Sequence, residues 1–128
     1  MPTVLIVDDH PTIRKALRDF FEQSHLAQCR EAVNGVDALQ KAQLWKPDLV
    51  ILDFSMPVMD GIEAARSLKQ MMPELPVFIL SAHSSVFHYL VRESGICDNF
   101  FSKDDVAPMI DQAREVLGHT AKRERCMG

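Results

Sequence analysis

Five polar residues stand directly behind four short apolar runs. Asp8 and Asp9 follow Thr3-Val4-Leu5-Ile6-Val7, Asp53 follows Leu49-Val50-Ile51-Leu52, Ser81 follows Val77-Phe78-Ile79-Leu80, and Lys103 follows Asn99-Phe100-Phe101-Ser102. Brought together, these side chains divide one piece of chemistry between them. Crowded carboxylates repel unless a cation neutralises them, and a donor set made only of oxygen favours a hard divalent ion such as Mg²⁺. A carboxylate can also attack phosphorus, which makes Asp53 a candidate phosphorylation site. Lys103 offers a point charge to one phosphoryl oxygen, and Ser81 offers a hydroxyl to another. So apolar a run is a costly place to end in an idle carboxylate.

The elements that must position these residues alternate regularly. The four runs, with the weaker Gln28 to Ala32, read as five strands. Pro11 suits a first helical turn, and Ile13, Ala16, Leu17, Phe20 and Phe21 recur at helical spacing to about Ser24. Asn34-Gly35 precedes a second helix with Val36, Leu39, Ala42 and Trp45 as its apolar stripe, stopped by Pro47. Pro57 and Asp60-Gly61 mark a loop. A third helix follows, carrying Ile62, Ala65, Leu68 and Met71 or Met72. Ser84 or Ser85 can cap a fourth helix that reaches about Glu93, with Gly95 ending it. Asp104 or Asp105 can cap the last helix, which turns Val106, Met109, Ile110, Ala113, Val116 and Leu117 inward and is expected to stop at Gly118. Five strand–helix repeats predict a parallel sheet with helices on both faces. In such a sheet the strand ends share one edge, where ligands bind, so the five polar positions can converge.

The bulk properties narrow the function. A chain of 128 residues with 47% hydrophobic and 25% charged residues suits one ordinary globular domain. We expect that domain over residues 1–118, with 119–128 a tail or truncated linker. The net charge is −4, and the last ten residues contribute +2, so the expected domain carries −6. That balance argues against broad nucleic-acid binding. Cys29, Cys97 and Cys126 are widely spaced and form no C-x-x-C pair, which argues against a disulfide framework or zinc site. No stretch approaches the roughly 20 apolar residues of a membrane helix, and a cytoplasmic protein with no membrane partner is expected.

These residues, in this order, resemble the CheY-like receiver domain of bacterial two-component response regulators over almost the whole chain. The resemblance is carried by Asp8-Asp9, by Asp53 in D-x-x-M-P, by Asp60-Gly61, by Ser81-Ala82 and by Lys103 after Phe100. It implies a flavodoxin-like (βα)5 doubly wound sheet with strand order 2-1-3-4-5. It also implies roles. Asp53 resembles the phosphoacceptor. Asp9, Asp53 and the carbonyl of Ser55 resemble direct ligands of Mg²⁺ (or Mn²⁺), with Asp8 acting through water. Lys103 and Ser81 resemble the phosphoryl-binding pair, and Ser81 with Phe100 the switch. The implied donor is a sensor histidine kinase or a histidine phosphotransfer protein. The implied output face is the fourth helix, fifth strand and fifth helix, used for a partner or a homodimer. Such a domain is not an enzyme beyond catalysing its own phosphotransfer and dephosphorylation.

Some positions depart from the commonest pattern. Asp104 stands where many receivers have proline, Phe100 replaces tyrosine, and Ser81 replaces threonine. Ser55 and His83 occupy the variable positions that tune phosphoryl loss in the family. His10 and Lys103-Asp104 resemble the subfamily with a C-terminal LuxR-type helix-turn-helix; any DNA binding is expected through that domain, which these residues do not include. Three alternatives stay open: a degenerate receiver acting as a phosphorylation-independent adaptor, an aspartate-nucleophile phosphatase, and a flavin carrier. The phosphatase would normally carry a second Asp where Ser55 stands. The flavin carrier would place phosphate against Asp8-Asp9. Simpler roles also exist: Asp8 and Asp9 as helix caps, Phe100 as core, and the histidines as non-ligands.

Overall fold

A computed structural model describes residues 1–56, 58–82, 95 and 97–127, with only the backbone described for 119–127. Five strands, β1 (Thr3–Val7), β2 (Gln28–Ala32), β3 (Leu49–Asp53), β4 (Val77–Ser81) and β5 (Asn99–Ser102), form one parallel sheet in the order β2-β1-β3-β4-β5. The described helices are α1 (Pro11–Gln23), α2 (Gly35–Trp45), α3 (Gly61–Met71) and α4 (Ala107–Met127). The helix expected at residues 84–93, its capping serines and His83 and His88 fall outside the described residues, as does Pro57.

Side-chain alternation splits the core into two layers. Leu5, Val7, Val50, Leu52, Val77, Ile79 and Phe100 face Ala38 and Ala42 of α2 and Ala64, Ala65 and Leu68 of α3. Val4, Ile6, Leu49, Ile51, Phe78, Leu80 and Phe101 face Leu17 and Phe21 of α1 and Met109, Ala113 and Leu117 of α4. β3 lies centrally and all five of its residues are buried, which accounts for its unbroken apolar run. Its register sets Leu52 beside Val7 and Ile79, and Asp53 beside Leu80. The ends of β1, β3 and β4 therefore open on the same edge.

Two sequence expectations are corrected. The buried face of α2 is Gly35, Ala38 and Ala42, while Val36 and Trp45 are 41% and 36% exposed. Small residues let α2 sit close to the sheet, and Trp45 lies outside the core under the Arg30 guanidinium, 4.9 Å from the ring centre. The last helix does not stop at Gly118 but continues to Met127. Glycine ends a helix by adopting a left-handed conformation, and Gly118 has no positive φ. Asp105, one of the two expected caps, accepts the Ala107 N–H. No helix among the described residues is long and apolar enough to cross a membrane.

Candidate functional site

Three loops deliver the site. β1 carries the chain to Asp8, which is 3% exposed. The Asp8 N–H donates to the Ala32 carbonyl, and the Asp8 carbonyl accepts from Arg14 Nη1 at 2.6 Å. Asp8 Oδ1 accepts the backbone N–H of His10 and lies 3.1 Å from its Nδ1. Asp9 Oδ1 stands 3.0 Å from the same ring nitrogen, but is out of line for a hydrogen bond.

Asp53, also 3% exposed, ends β3. Its Oδ1 pairs with Lys103 Nζ at 2.8 Å and accepts the Ser55 N–H at 3.3 Å. Its Oδ2 is buried and has no hydrogen-bond partner among the described residues. Lys103, just past β5, also reaches Asp8 Oδ2 at 3.1 Å. The Lys103 N–H is held by the Ser81 carbonyl, which ties the ends of β5 and β4 together. Ser81 is 1% exposed and follows the register partner of Asp53.

α3 begins against the back of this loop. Gly61 donates to the Phe54 carbonyl, and a Cβ on Gly61 would stand 2.5 Å from the Asp53 carbonyl oxygen and 2.8 Å from Phe54 Cα. The glycine of Asp60-Gly61 is therefore required by close backbone approach. Asp60 caps α3 by accepting the Glu63 N–H. In the loop before Asp60, Val58 sits at φ +72°, a left-handed conformation that is costly for a β-branched residue.

The charges do not balance locally. One atom from each of Asp8, Asp9, His10 and Asp53 lies within 4.8 Å of the others, and Lys103 meets two of them, Asp8 and Asp53. Burial pushes the Asp53 carboxyl up; the Lys103 hydrogen bond opposes this, the Asp8 charge adds to it, and the net shift is upward. Burial pushes Lys103 down, but its bond to Asp53 and the charges of Asp8 and Asp53 outweigh this and raise it. The two shifts differ in meaning because one lysine serves two carboxylates. Lys103 gains from both, and Asp53 keeps only a share. Among the described residues three carboxylates face one lysine, an excess of acidic groups that a divalent cation would offset. The unpartnered Asp53 Oδ2 and the carboxylate oxygens fit a hard ion such as Mg²⁺.

Residues 4–113 match the family model described as the response regulator receiver domain. The chain belongs to that family. Its fold agrees: the receiver domain of Francisella response regulator 1452 superimposes with a TM-score of 0.83 at 27% identity, covering 94% of this chain and 99% of that one. The Thermotoga maritima response regulator TrrA, solved in complex with Mg²⁺ and BeF, gives 0.81 at 27% identity, covering 91% and 99%. Among curated relatives, the transcriptional activator ExaE of Pseudomonas putida is 41% identical over 122 residues, covering 91% of this chain and 56% of the relative. The transcriptional regulatory protein PrrA of Mycobacterium leprae is 38% identical over 117 residues, covering 91% and 50%. This receiver spans about half the length of the curated relatives it matches.

Of the residues singled out from sequence, the structure brings Asp8, Asp9, Asp53 and Lys103 into one cluster. It places Ser81 buried at the adjacent strand end and Ser55 exposed in the loop behind Asp53. Phe100 is buried at 7% exposure, with its ring centre 6.3 Å from that of Phe54. His10, which the sequence offered only as a subfamily marker and a non-ligand, stands among the acids. Sequence reasoning missed Arg14. Arg14 lies one turn into α1, where helical side chains lean back toward the N-terminus, and that lean is the signal that could have found it.

Proposed function

We propose that this receiver is a phosphoacceptor of a two-component relay, with Asp53 as the acceptor. A carboxylate oxygen of Asp53 attacks the phosphorus of a phosphohistidine on a sensor histidine kinase or histidine phosphotransfer protein. The P–N bond breaks, and its electron pair leaves with the imidazole. The observation that carries this reading is the shared lysine: Lys103 holds Asp53 Oδ1 at 2.8 Å and Asp8 Oδ2 at 3.1 Å, while Asp53 Oδ2 is buried with no partner among the described residues. Lys103 keeps Asp53 in place before transfer and meets a phosphoryl oxygen after it. Ser81 supplies a hydroxyl to another. Asp9, Asp53 and the Ser55 carbonyl would hold Mg²⁺ or Mn²⁺, with Asp8 assisting. The ion, when bound, neutralises charge on the phosphoryl oxygens.

Ser81 and Phe100 form the switch in this reading. Movement of Ser81 toward the phosphoryl group repacks the Phe100 ring. The output is a change on the face that includes β5 and α4, which controls a partner or a homodimer. Control of transcription would reach DNA through the remainder of a longer protein of the kind this receiver matches.

The test is intact mass after incubation with acetyl phosphate. Wild type gains one phosphoryl group only with Mg²⁺, and Asp53→Ala gains none. A wild type that takes no adduct, and that binds no beryllofluoride, moves the assignment to the phosphorylation-independent adaptor.

A further inference from the structure

The backbone of Asp8 is gripped from both sides. Its N–H goes to the Ala32 carbonyl, and its carbonyl takes Arg14 Nη1 at 2.6 Å. Arg14 is in turn anchored: its Nε donates to Glu31 Oε1 at 3.0 Å, and the side chain is only 13% exposed. Glu31 stands in β2 beside Ile6, and its other oxygen takes Arg18 Nη1 at 2.7 Å. Arg18 goes on to Glu22. Burial acts to raise the Glu31 carboxyl, but the bonds from Arg18 and Arg14 outweigh it and hold Glu31 below the usual carboxylate range.

The carbonyl that Arg14 grips belongs to the Asp8–Asp9 peptide. Its direction sets where the Asp9 Cα stands and so where both carboxylates point. Pairing with Glu31 cancels the Arg14 charge, so the guanidinium sits beside a cation site without repelling its occupant. Partners of this kind, one bond behind the ligands, commonly govern metal affinity.

We propose that Arg14 is a positioning residue for the carboxylate cluster: anchored by Glu31, it holds the Asp8 carbonyl so that Asp8 and Asp9 present their oxygens to a divalent cation. The proposal rests on the phosphoacceptor reading for its consequence, but not for its first readout. Arg18 is the internal control, because it bonds the same Glu31 without touching Asp8. Lysine at position 14 separates charge from geometry. It keeps the positive charge but lacks the planar fork that spans a carbonyl and a carboxylate together.

The experiment uses the full chain and three variants: Arg14→Met, Arg14→Lys and Arg18→Met. Mn²⁺ affinity is read from loss of the free-ion paramagnetic resonance signal. The Mg²⁺ dependence of phosphorylation by acetyl phosphate is read by intact mass, and folding by circular dichroism. Arg14→Met is expected to weaken Mn²⁺ binding by roughly 10-fold or more. The Mg²⁺ concentration for half-maximal phosphorylation rises by the same factor, while the rate at saturating Mg²⁺ stays near that of wild type. Arg14→Lys is expected to share the defect, and Arg18→Met to bind Mn²⁺ as wild type does. Wild-type Mn²⁺ affinity in folded Arg14→Met overturns the proposal, as does an equal loss in Arg18→Met. Should Arg14→Met fail to fold, Arg14→Lys decides: weakened binding supports the proposal and wild-type binding overturns it. A wild type that binds Mn²⁺ but takes no phosphoryl group sinks the phosphoacceptor reading alone, and the Mn²⁺ comparison still decides the role of Arg14.

Discussion

At the scale of single residues, the setting of Asp53 works against its ionised form. Burial and the neighbouring Asp8 raise its carboxyl, and one shared lysine does not offset them. A carboxyl raised on folding contributes stability below its unfolded value and loses it as pH rises through the folded one. At neutral pH its ionised form therefore works against the fold. Asp53→Asn is expected to melt higher than wild type at pH 7 in a chelator, and the gap should narrow as pH falls through the carboxylate range. A variant that melts lower than wild type throughout would show that the Lys103 pairing dominates instead. The thiols give a second residue-scale prediction. Burial pushes Cys29 up to about 12 and Cys97 up to about 11. Both thiols stay protonated at pH 8, and the thiolate is the nucleophile. Peptide mapping after iodoacetamide treatment should find Cys29 and Cys97 unmodified in the native protein and modified in denaturant. Ready labelling of Cys29 in the native state would contradict its buried setting.

At the scale of elements, two helix glycines, Gly61 and Gly118, behave oppositely although both looked like punctuation. A Cβ at Gly61 would collide with the Asp53 carbonyl and Phe54 Cα, which are backbone atoms that cannot swing aside. A Cβ at Gly118 would meet nothing within 4 Å. Gly61→Ala is expected to cost about 1–3 kcal/mol, the usual penalty of overpacking, and to slow phosphorylation by shifting Asp53. Gly118→Ala should instead stabilise by up to about 1 kcal/mol, since alanine favours a helix interior. Urea midpoints of both variants, with phosphorylation of each at saturating Mg²⁺, make the check; equal destabilisation would refute the contrast. This pair also shows what was legible beforehand. Strand ends are readable because a buried parallel strand leaves an unbroken apolar run, and Asp8, Asp53, Ser81 and Lys103 were found that way. The inward face of α2 was not readable. Its contact is made by Gly35, Ala38 and Ala42, whose small side chains carry little hydrophobic signal beside Val36 and Trp45. The Arg14 grip was overlooked for a different reason: its only trace in the sequence is the backward lean of helical side chains across the turn that Pro11 starts.

At the scale of the whole molecule, the sheet gathers like charges at one edge, and its stability must respond to whatever relieves them. Asp8 and Asp53 are buried and Asp9 is close by, so the metal-free fold carries their mutual repulsion. A ligand that binds the folded state alone stabilises it by mass action, by about 2.7 kcal/mol at a hundred times its dissociation constant. For a domain of this size a shift of that order moves the melting point by several degrees, at about 2–8 °C per kcal/mol. Mg²⁺ alone should therefore raise the melting temperature saturably, and beryllofluoride with Mg²⁺ should raise it further by engaging Asp53, Lys103 and Ser81 together. The increments separate the parts. Asp53→Asn should lose the beryllofluoride increment entirely. Lys103→Met should keep a response to Mg²⁺, because the carboxylates remain, and should lose most of the beryllofluoride increment, because the cation proposed to meet the phosphoryl oxygen is gone. A sodium chloride series at matched ionic strength controls for general screening. A melting curve that follows ionic strength alone, with no difference between Mg²⁺ and Na⁺, would mean that the carboxylates do not act as one site. It would remove the metal from the mechanism while leaving the fold untouched.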